Sequence, residues 1–180
     1  MTGPRTRSRE LALQALFCRD VLEGTSLDVV KTVIEHAEAS EEVRQFATEL
    51  AEGVLGRIAE LDGNISSAAD NWDVSRLAVV DRNVLRLAIY EFLAMDDVPA
   101  KVTLNEAIEL AKRFSTAQSG RFVNGLLDRI RKDLGLAVEG EEPPPALADV
   151  DDAITNWNAP GGSPLGSPPP APLDPDGRPD

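Results

Sequence analysis

The chain has 180 residues, with 18 Lys and Arg against 31 Asp and Glu, for a formal net charge of −13. As a bulk number this opposes nonspecific binding to nucleic acid, and the length allows one domain or two small ones. A hydrophobic content of 42% with eight aromatics among 180 residues points to an aliphatic, helical core, and the one cysteine, Cys18, excludes an internal disulfide framework. A reducing, cytoplasmic setting is expected, with no signal peptide and no apolar run long enough to span a membrane.

The first periodic segment runs from Leu11 to Leu22, with Leu11, Ala15, Cys18 and Leu22 on one face and Leu13, Phe17 and Val21 on nearly the opposite one. A helix apolar on two faces lies between neighbours. Ser26 is placed to cap a second helix to about Ala39, with Leu27, Val30, Val33 (or Ile34) and Ala37 as its apolar positions. Ser40 caps a third and long one, whose residues Val43, Phe46, Ala47, Leu50, Val54, Leu55, Ile58 and Leu61 keep a three/four spacing toward Ala69.

The pattern restarts at Asp73. From Asp81 to Met95 apolar residues cover more than half the helix circumference, which marks a central helix. Asp96, Asp97 and Pro99 end it. Thr103 and Glu106 form a T-x-x-E capping box for the next helix, and Glu109 is spaced to pair with Lys112 or Arg113. A last helix begins near Ser119, packs through Phe122 (or Val123), Leu126, Leu127, Ile130 and Leu134, and stops at Gly135.

The expected fold is all-α: two small packed bundles of six or seven helices, about 5–72 and 73–134, in a folded region 1–134. Residues 135–180 hold 11 of the 13 prolines and six of the 13 glycines, and are read as a disordered acidic tail.

The chemical inventory disfavours an enzyme. One His and one Cys make no metal site, and His36 has no context for a general base. No phosphate-cradling glycine motif occurs, so no cofactor is expected. The charge, however, is unevenly distributed. Residues 1–9 carry +3, residues 10–97 carry −11, residues 98–134 carry +3, and the tail carries −8. Basic residues thus sit at both ends of the folded body: Arg5, Arg7 and Arg9 at one, Arg121, Arg129, Arg131 and Lys132 at the other. If the fold brings the ends together they make a surface for phosphates, with Phe122 beside Arg121 as a face on which a base can stack. Against this stand a solvated terminus for the arginines, a core position for Phe122, and helix-dipole complementation for Arg129 to Lys132.

Three blocks carry a family resemblance. The run Asp97-Val-Pro-Ala-Lys-Val-Thr-Leu-Asn-Glu-Ala-Ile-Glu-Leu-Ala-Lys-Arg-Phe, followed by Phe122-Val-Asn-Gly-Leu-Leu-Asp, resembles the C-terminal signature of the NusB family of bacterial transcription antitermination factors. Val80-Asp-Arg-Asn-Val-Leu-Arg-Leu-Ala-Ile-Tyr-Glu and Arg9-Glu-Leu-Ala-Leu-Gln-Ala-Leu-Phe resemble its other blocks in the same order. The resemblance spans about Arg5 to Leu134. It implies a non-catalytic, two-bundle helical protein that binds the boxA element of ribosomal RNA leader transcripts with the ribosomal protein NusE, in an antitermination complex with RNA polymerase and other Nus factors. It also implies RNA-binding roles for Arg5, Arg7, Arg9, Arg121 and Phe122 and a NusE contact at Asp81. Some members form homodimers, so a homodimer is possible here too.

A second reading is the NusB-like RNA-binding domain of a ribosomal RNA cytosine methyltransferase. That enzyme needs a following α/β domain with a catalytic cysteine, and only the tail follows residue 134 here.

Overall fold

The computed structural model describes residues 3–22, 27–70, 73–116 and 118–136. Among them there are seven α-helices and no strand: α1 Pro4–Val21, α2 Leu27–Glu35, α3 Glu41–Gly56, α4 Ile58–Ala68, α5 Val79–Ala94, α6 Ala100–Phe114 and α7 Ser119–Asp133, with a single 3₁₀ turn at Val74–Arg76 before α5. This is the expected all-helical architecture. The expected tail from residue 137 onward, the Ser26 cap and the subdomain break near Trp72 lie outside the described residues. None of the described helices is long and apolar enough to cross a membrane.

Helix starts and stops follow local chemistry. Ser40 caps α3, its hydroxyl accepting from Val43 N at 3.4 Å, with Glu41 and Glu42 complementing the dipole in the first turn. Asp73 holds the 3₁₀ turn through Ser75 N at 2.9 Å. α7 ends in a left-handed Gly135, φ +71°, and the amides of Gly135 and Leu136 return to the carbonyls of Lys132 and Arg131 at 2.9 Å each. Only glycine takes that conformation without strain, so Gly135 stops the helix as its sequence position suggests.

Four boundaries differ from the sequence expectation, among them the end of α2, which lies at Glu35 and not near Ala39. α1 begins at Pro4, seven residues before Leu11, because proline is pre-set for the first helical position and Ser8 donates its hydroxyl to Pro4 O at 2.9 Å. The long third helix is two, broken at Arg57 (φ −129°), next to Gly56. The Thr103 to Glu106 capping box does not form: α6 starts at Ala100 after Pro99, which places Thr103 inside the helix, and both side chains are committed to other helices.

The core is continuous. α5 packs against α1, α3, α4, α6 and α7, and is buried on all sides through Val84, Leu85, Leu87, Ala88 and Ile89. Each such Leu or Ile contributes roughly 1.5–3 kcal/mol by leaving water. α1 is flanked by α2, α3 and α5, and its first half is buried on both faces (Leu11, Ala12, Leu13, Ala15, Leu16), whereas Phe17, Val21 and Leu22 reach solvent and Cys18 is half-buried. Of the open alternatives, Ile34 and Val123 take the core positions, with Val33 and Phe122 packed against the edge. α6 and α7 form an antiparallel hairpin in close approach: a Cβ on Gly120 would lie 2.8 Å from Lys112 Cγ.

Candidate nucleic-acid interface

Arg5, Arg7 and Arg9 belong to the first two turns of α1, so they point in directions set by helical geometry and do not move as a free arm. Arg5 lies over the Phe46 ring, 4.6 Å from its centroid, and pairs with Asp97 at 3.1 Å while staying exposed. Arg5 lines two concavities, one with Glu42, Gln45 and Glu49 of α3 and one with Val98, Pro99 and Val102.

Arg9 is the departure from expectation. It is 3% exposed, and its Nε and Nη2 donate to Glu91 Oε1 and Oε2 at 2.7 and 2.8 Å. Glu106 adds a second carboxylate at 3.7 Å. Burial opposes the charge on Arg9, but the hydrogen bond and charge of Glu91, with the charge of Glu106, outweigh it and raise the pKa further above its ordinary value. Thr103 Oγ1 donates to Glu91 Oε2 at 3.0 Å, and Thr6 Oγ1 donates to Glu106 Oε1 at 3.0 Å. These five side chains fasten α1, α5 and α6 together. In this arrangement the Arg9 guanidinium is turned inward, toward the carboxylates of α5 and α6.

Arg7 leaves α1 on another side. Its Nη1 donates to Glu10 Oε2 at 2.9 Å, and Arg113 of α6 donates to the other oxygen of the same carboxylate. This contact brings the basic start of α1 against the basic end of α6. Lys112 is packed on Gly120 at the start of α7, one residue before Arg121. Arg121 is exposed, with no ion-pair partner among the described residues, and Phe122 is half-buried with its inner edge on the core. Arg7 of the first basic segment therefore meets Arg113 of α6, a residue outside the Arg121 to Lys132 cluster that the sequence sets at the other end. Arg129 lies elsewhere, paired with Asp70 at 3.0 Å, and Lys132 pairs with Asp128.

Asp81 stands in the first turn of α5 and is 4% exposed. Its Oδ2 accepts from Ser119 Oγ at 2.9 Å, and its Oδ1 is buried without a hydrogen-bond partner. Burial pushes its pKa up, against the opposing bonds from Ser115 and Ser119. Ser119 also bonds Ser115 and Thr116, and its amide donates to Thr116 Oγ1 at 3.2 Å, so the loop before α7 is a knot of hydroxyls closed over this carboxylate. Asp81 braces the start of α7 through Ser119, two residues before Arg121.

Sequence reasoning missed two arrays. Arg113 was legible only as a partner for Glu109, which instead takes Lys112 at 2.8 Å. A second polar network joins α1, α4 and α5: Asp20 accepts from Arg82, Asn83 and Arg86, and Arg86 holds Asp62 through two 2.7 Å bonds. Among the described residues no group of three or more His, Cys, Asp or Glu is placed to hold a metal ion.

Comparison with known proteins agrees with this geometry. The NusB family model matches residues 6–132. A transcription antitermination protein NusB from Desulfatibacillum aliphaticivorans is 42% identical over 140 residues, covering 78% of this chain and 98% of the relative. One from Geobacter sulfurreducens is 44% identical over 133 residues, covering 73% and 96%. A crystal form of Thermotoga maritima NusB superimposes with a TM-score of 0.68 at 40% identity, covering 74% of this chain and 94% of that one. A crystal structure of the antitermination factors NusB and NusE in complex with dsRNA superimposes with a TM-score of 0.66 at 27% identity, covering 74% and 99%. A family model matched over most of the chain, with relatives above 40% identity aligned nearly end to end, shows that this chain belongs to the NusB family.

Proposed function

We propose that the chain is a non-catalytic transcription antitermination factor that binds boxA RNA of ribosomal RNA leader transcripts together with NusE and acts in the cytoplasm. The observation that carries this reading is the likeness, over three quarters of the chain, to a NusB solved with NusE and double-stranded RNA. The rim where α1 meets α6, together with Arg121 and Phe122 of α7, supplies the chemistry: Arg7 and Arg121 offer donors to phosphates, and Phe122 offers a half-exposed ring to a base. Arg5 contributes from the α1 flank, and Arg9 supports the rim from inside. The acidic middle of the chain, with Asp81 at its edge, suits a basic ribosomal protein. Residues 5–72 and 73–134 serve as two halves, joined by the Arg9 to Glu91 pair, with RNA taken at their shared edge. Against the methyltransferase reading, a relative that is itself a transcription antitermination protein NusB is aligned over 98% of its own length.

The test is the affinity of the full chain for boxA RNA and for a scrambled RNA, with and without NusE, at two or more salt concentrations. A few phosphate contacts at about 0.7 per charge give a shallow salt slope and weak binding alone, so NusE should raise boxA affinity at least tenfold. No gain on adding NusE, or no preference for boxA, overturns the reading.

A further inference from the structure

We propose that Arg7 and Arg113, held side by side by Glu10, form a seat for one phosphodiester of the bound RNA. The inference rests on the RNA-binding reading above and adds to it a residue, Arg113, and a local mechanism. Two guanidiniums brought together on a surface repel, so an empty pair of this kind drifts apart. Glu10 prevents this here. Its two oxygens are each taken by a different arginine, Oε2 by Arg7 Nη1 and Oε1 by Arg113 Nη1.

The exposure of the three side chains is strongly unequal. Glu10 is 2% exposed, whereas the Arg7 and Arg113 side chains are 40% and 59% exposed. An approaching polyanion therefore meets two cationic groups and not the carboxylate between them. The cluster keeps a net charge of +1, which one phosphodiester neutralises. Each guanidinium spends one nitrogen on Glu10 and keeps Nε and Nη2, a pair of donors in the fixed fork that matches two phosphate oxygens. Arg113 is further fixed by its position over the Phe114 ring, 5.1 Å from the centroid. Glu10 is thus a positioning residue: it pre-orders both forks before RNA arrives, across the junction of α1 and α6.

The seat is linked to the start of α7 through α6. Arg113 follows Lys112, and Lys112 packs on Gly120, next to Arg121. A strand whose base stacks on Phe122 and whose phosphate meets Arg121 runs toward Arg113 and Arg7.

The experiment uses the full chain with NusE and a set of boxA RNAs, each carrying one neutral methylphosphonate in place of a phosphodiester. In the wild-type complex one linkage should weaken binding about tenfold when neutralised, the effect of one charge-assisted contact. In Arg113→Ala the overall affinity should fall about tenfold, the salt slope should shrink by about 0.7, and that same linkage should no longer matter. Arg113→Lys keeps the charge and loses the fork, so it should recover only part of the affinity. A merely structural tie between α1 and α6 would change the melting temperature and leave the linkage profile as in wild type; that profile in Arg113→Ala overturns the seat. Loss of the linkage effect on adding millimolar inorganic phosphate would assign the site to a free anion and overturn it as well. A wild-type chain that binds no boxA RNA overturns the functional reading and takes the seat with it, whereas wild-type binding with an unchanged Arg113→Ala profile overturns the seat alone.

Discussion

Arg9 and Glu91 face each other as a buried bidentate pair, Nε to Oε1 at 2.7 Å and Nη2 to Oε2 at 2.8 Å, 82 residues apart in sequence. A charge taken so far from water is tolerable only with its partner, and Thr103 adds a further bond to Glu91 Oε2. The pair joins the first helix to the central one and fixes the base of the rim that presents Arg7 and Arg113.

Removing one member should therefore cost more than removing both. Arg9→Ala or Glu91→Ala is expected to destabilise the protein by about 3–5 kcal/mol, since each leaves an uncompensated buried charge. Arg9→Met with Glu91→Leu should be milder than either. Urea unfolding of the three variants checks this, and a double-variant loss equal to the sum of the two single losses would mean that the pair is not coupled. RNA affinity of the double variant should stay within a few-fold of wild type if Arg9 makes no phosphate contact.

A second contact is steric. Gly53 of α3 faces the Tyr90 ring of α5, and a Cβ there would lie 2.0 Å from Tyr90 Cζ. The ring cannot flex out of the way as a lysine stem can, so Gly53→Ala should destabilise by about 1–3 kcal/mol through overpacking. Gly53→Ala with Tyr90→Ala should regain part of that loss in a thermal melt. A neutral or stabilising Gly53→Ala, as helix propensity alone predicts, would show that the two helices are not held at this distance.

These two contacts also show what the sequence does and does not make legible. Periodicity and caps are local, so Ser40, Gly135 and the apolar stripe of α5 are readable from the chain itself. The capping box at Thr103 and Glu106 was equally local and misleading. Its two side chains have stronger partners across the fold, in Glu91 and in Thr6 and Arg9, and Pro99 supplies the helix start. Burial of Arg9 is non-local in the same way: nothing within ten residues distinguishes it from Arg5 or Arg7, and its interior place depends on Glu91 and Glu106, 82 and 97 residues away. Arg113 was hidden because its nearest sequence partner, Glu109, is not the one it takes.

Two aspartates, the partly buried Asp20 and the buried Asp81, should give opposite pH responses. Burial opposes the charge on Asp20, but hydrogen bonds from Asn83 and Arg82 and the charges of Arg86 and Arg82 outweigh it and hold its pKa below the usual carboxylate value. A carboxyl depressed in the folded state stabilises above its unfolded pKa, and that contribution is lost as pH falls through the folded one. Asp20→Asn should be less stable than wild type at neutral pH, with the gap closing in acid below the ordinary aspartate range. A gap that persists undiminished in acid would assign the loss to packing instead of charge.

Phe122 tests whether packing and recognition separate. Its ring is half-buried, with Val123 taking the deeper core position, so Phe122→Leu should keep most of the contact with the core at a cost of about 1.5 kcal/mol or less. Base stacking on an aromatic face is worth roughly 1–3 kcal/mol, and leucine offers no such face. The expected result is a near-normal melting temperature with boxA affinity lowered about five- to a hundredfold in a titration. Equal affinity would return Phe122 to a purely structural role.

Asp81 has the opposite sign to Asp20. Burial raises its pKa against the bonds from Ser115 and Ser119, and Oδ1 has no hydrogen-bond partner. A carboxyl raised in the folded state costs stability once pH passes its unfolded value, and that cost is absent in strong acid where both states are protonated. Asp81→Asn removes the charge and keeps an oxygen to accept from Ser119, and its new amide can donate to Ser115. The variant should therefore melt higher than wild type at neutral pH and level with it in acid. If the retained charge serves a basic partner, the same variant should bind NusE more weakly while gaining stability, a split that isothermal titration and a thermal melt together resolve. A variant both less stable and unaltered toward NusE would make Asp81 a brace for the start of α7 and nothing more.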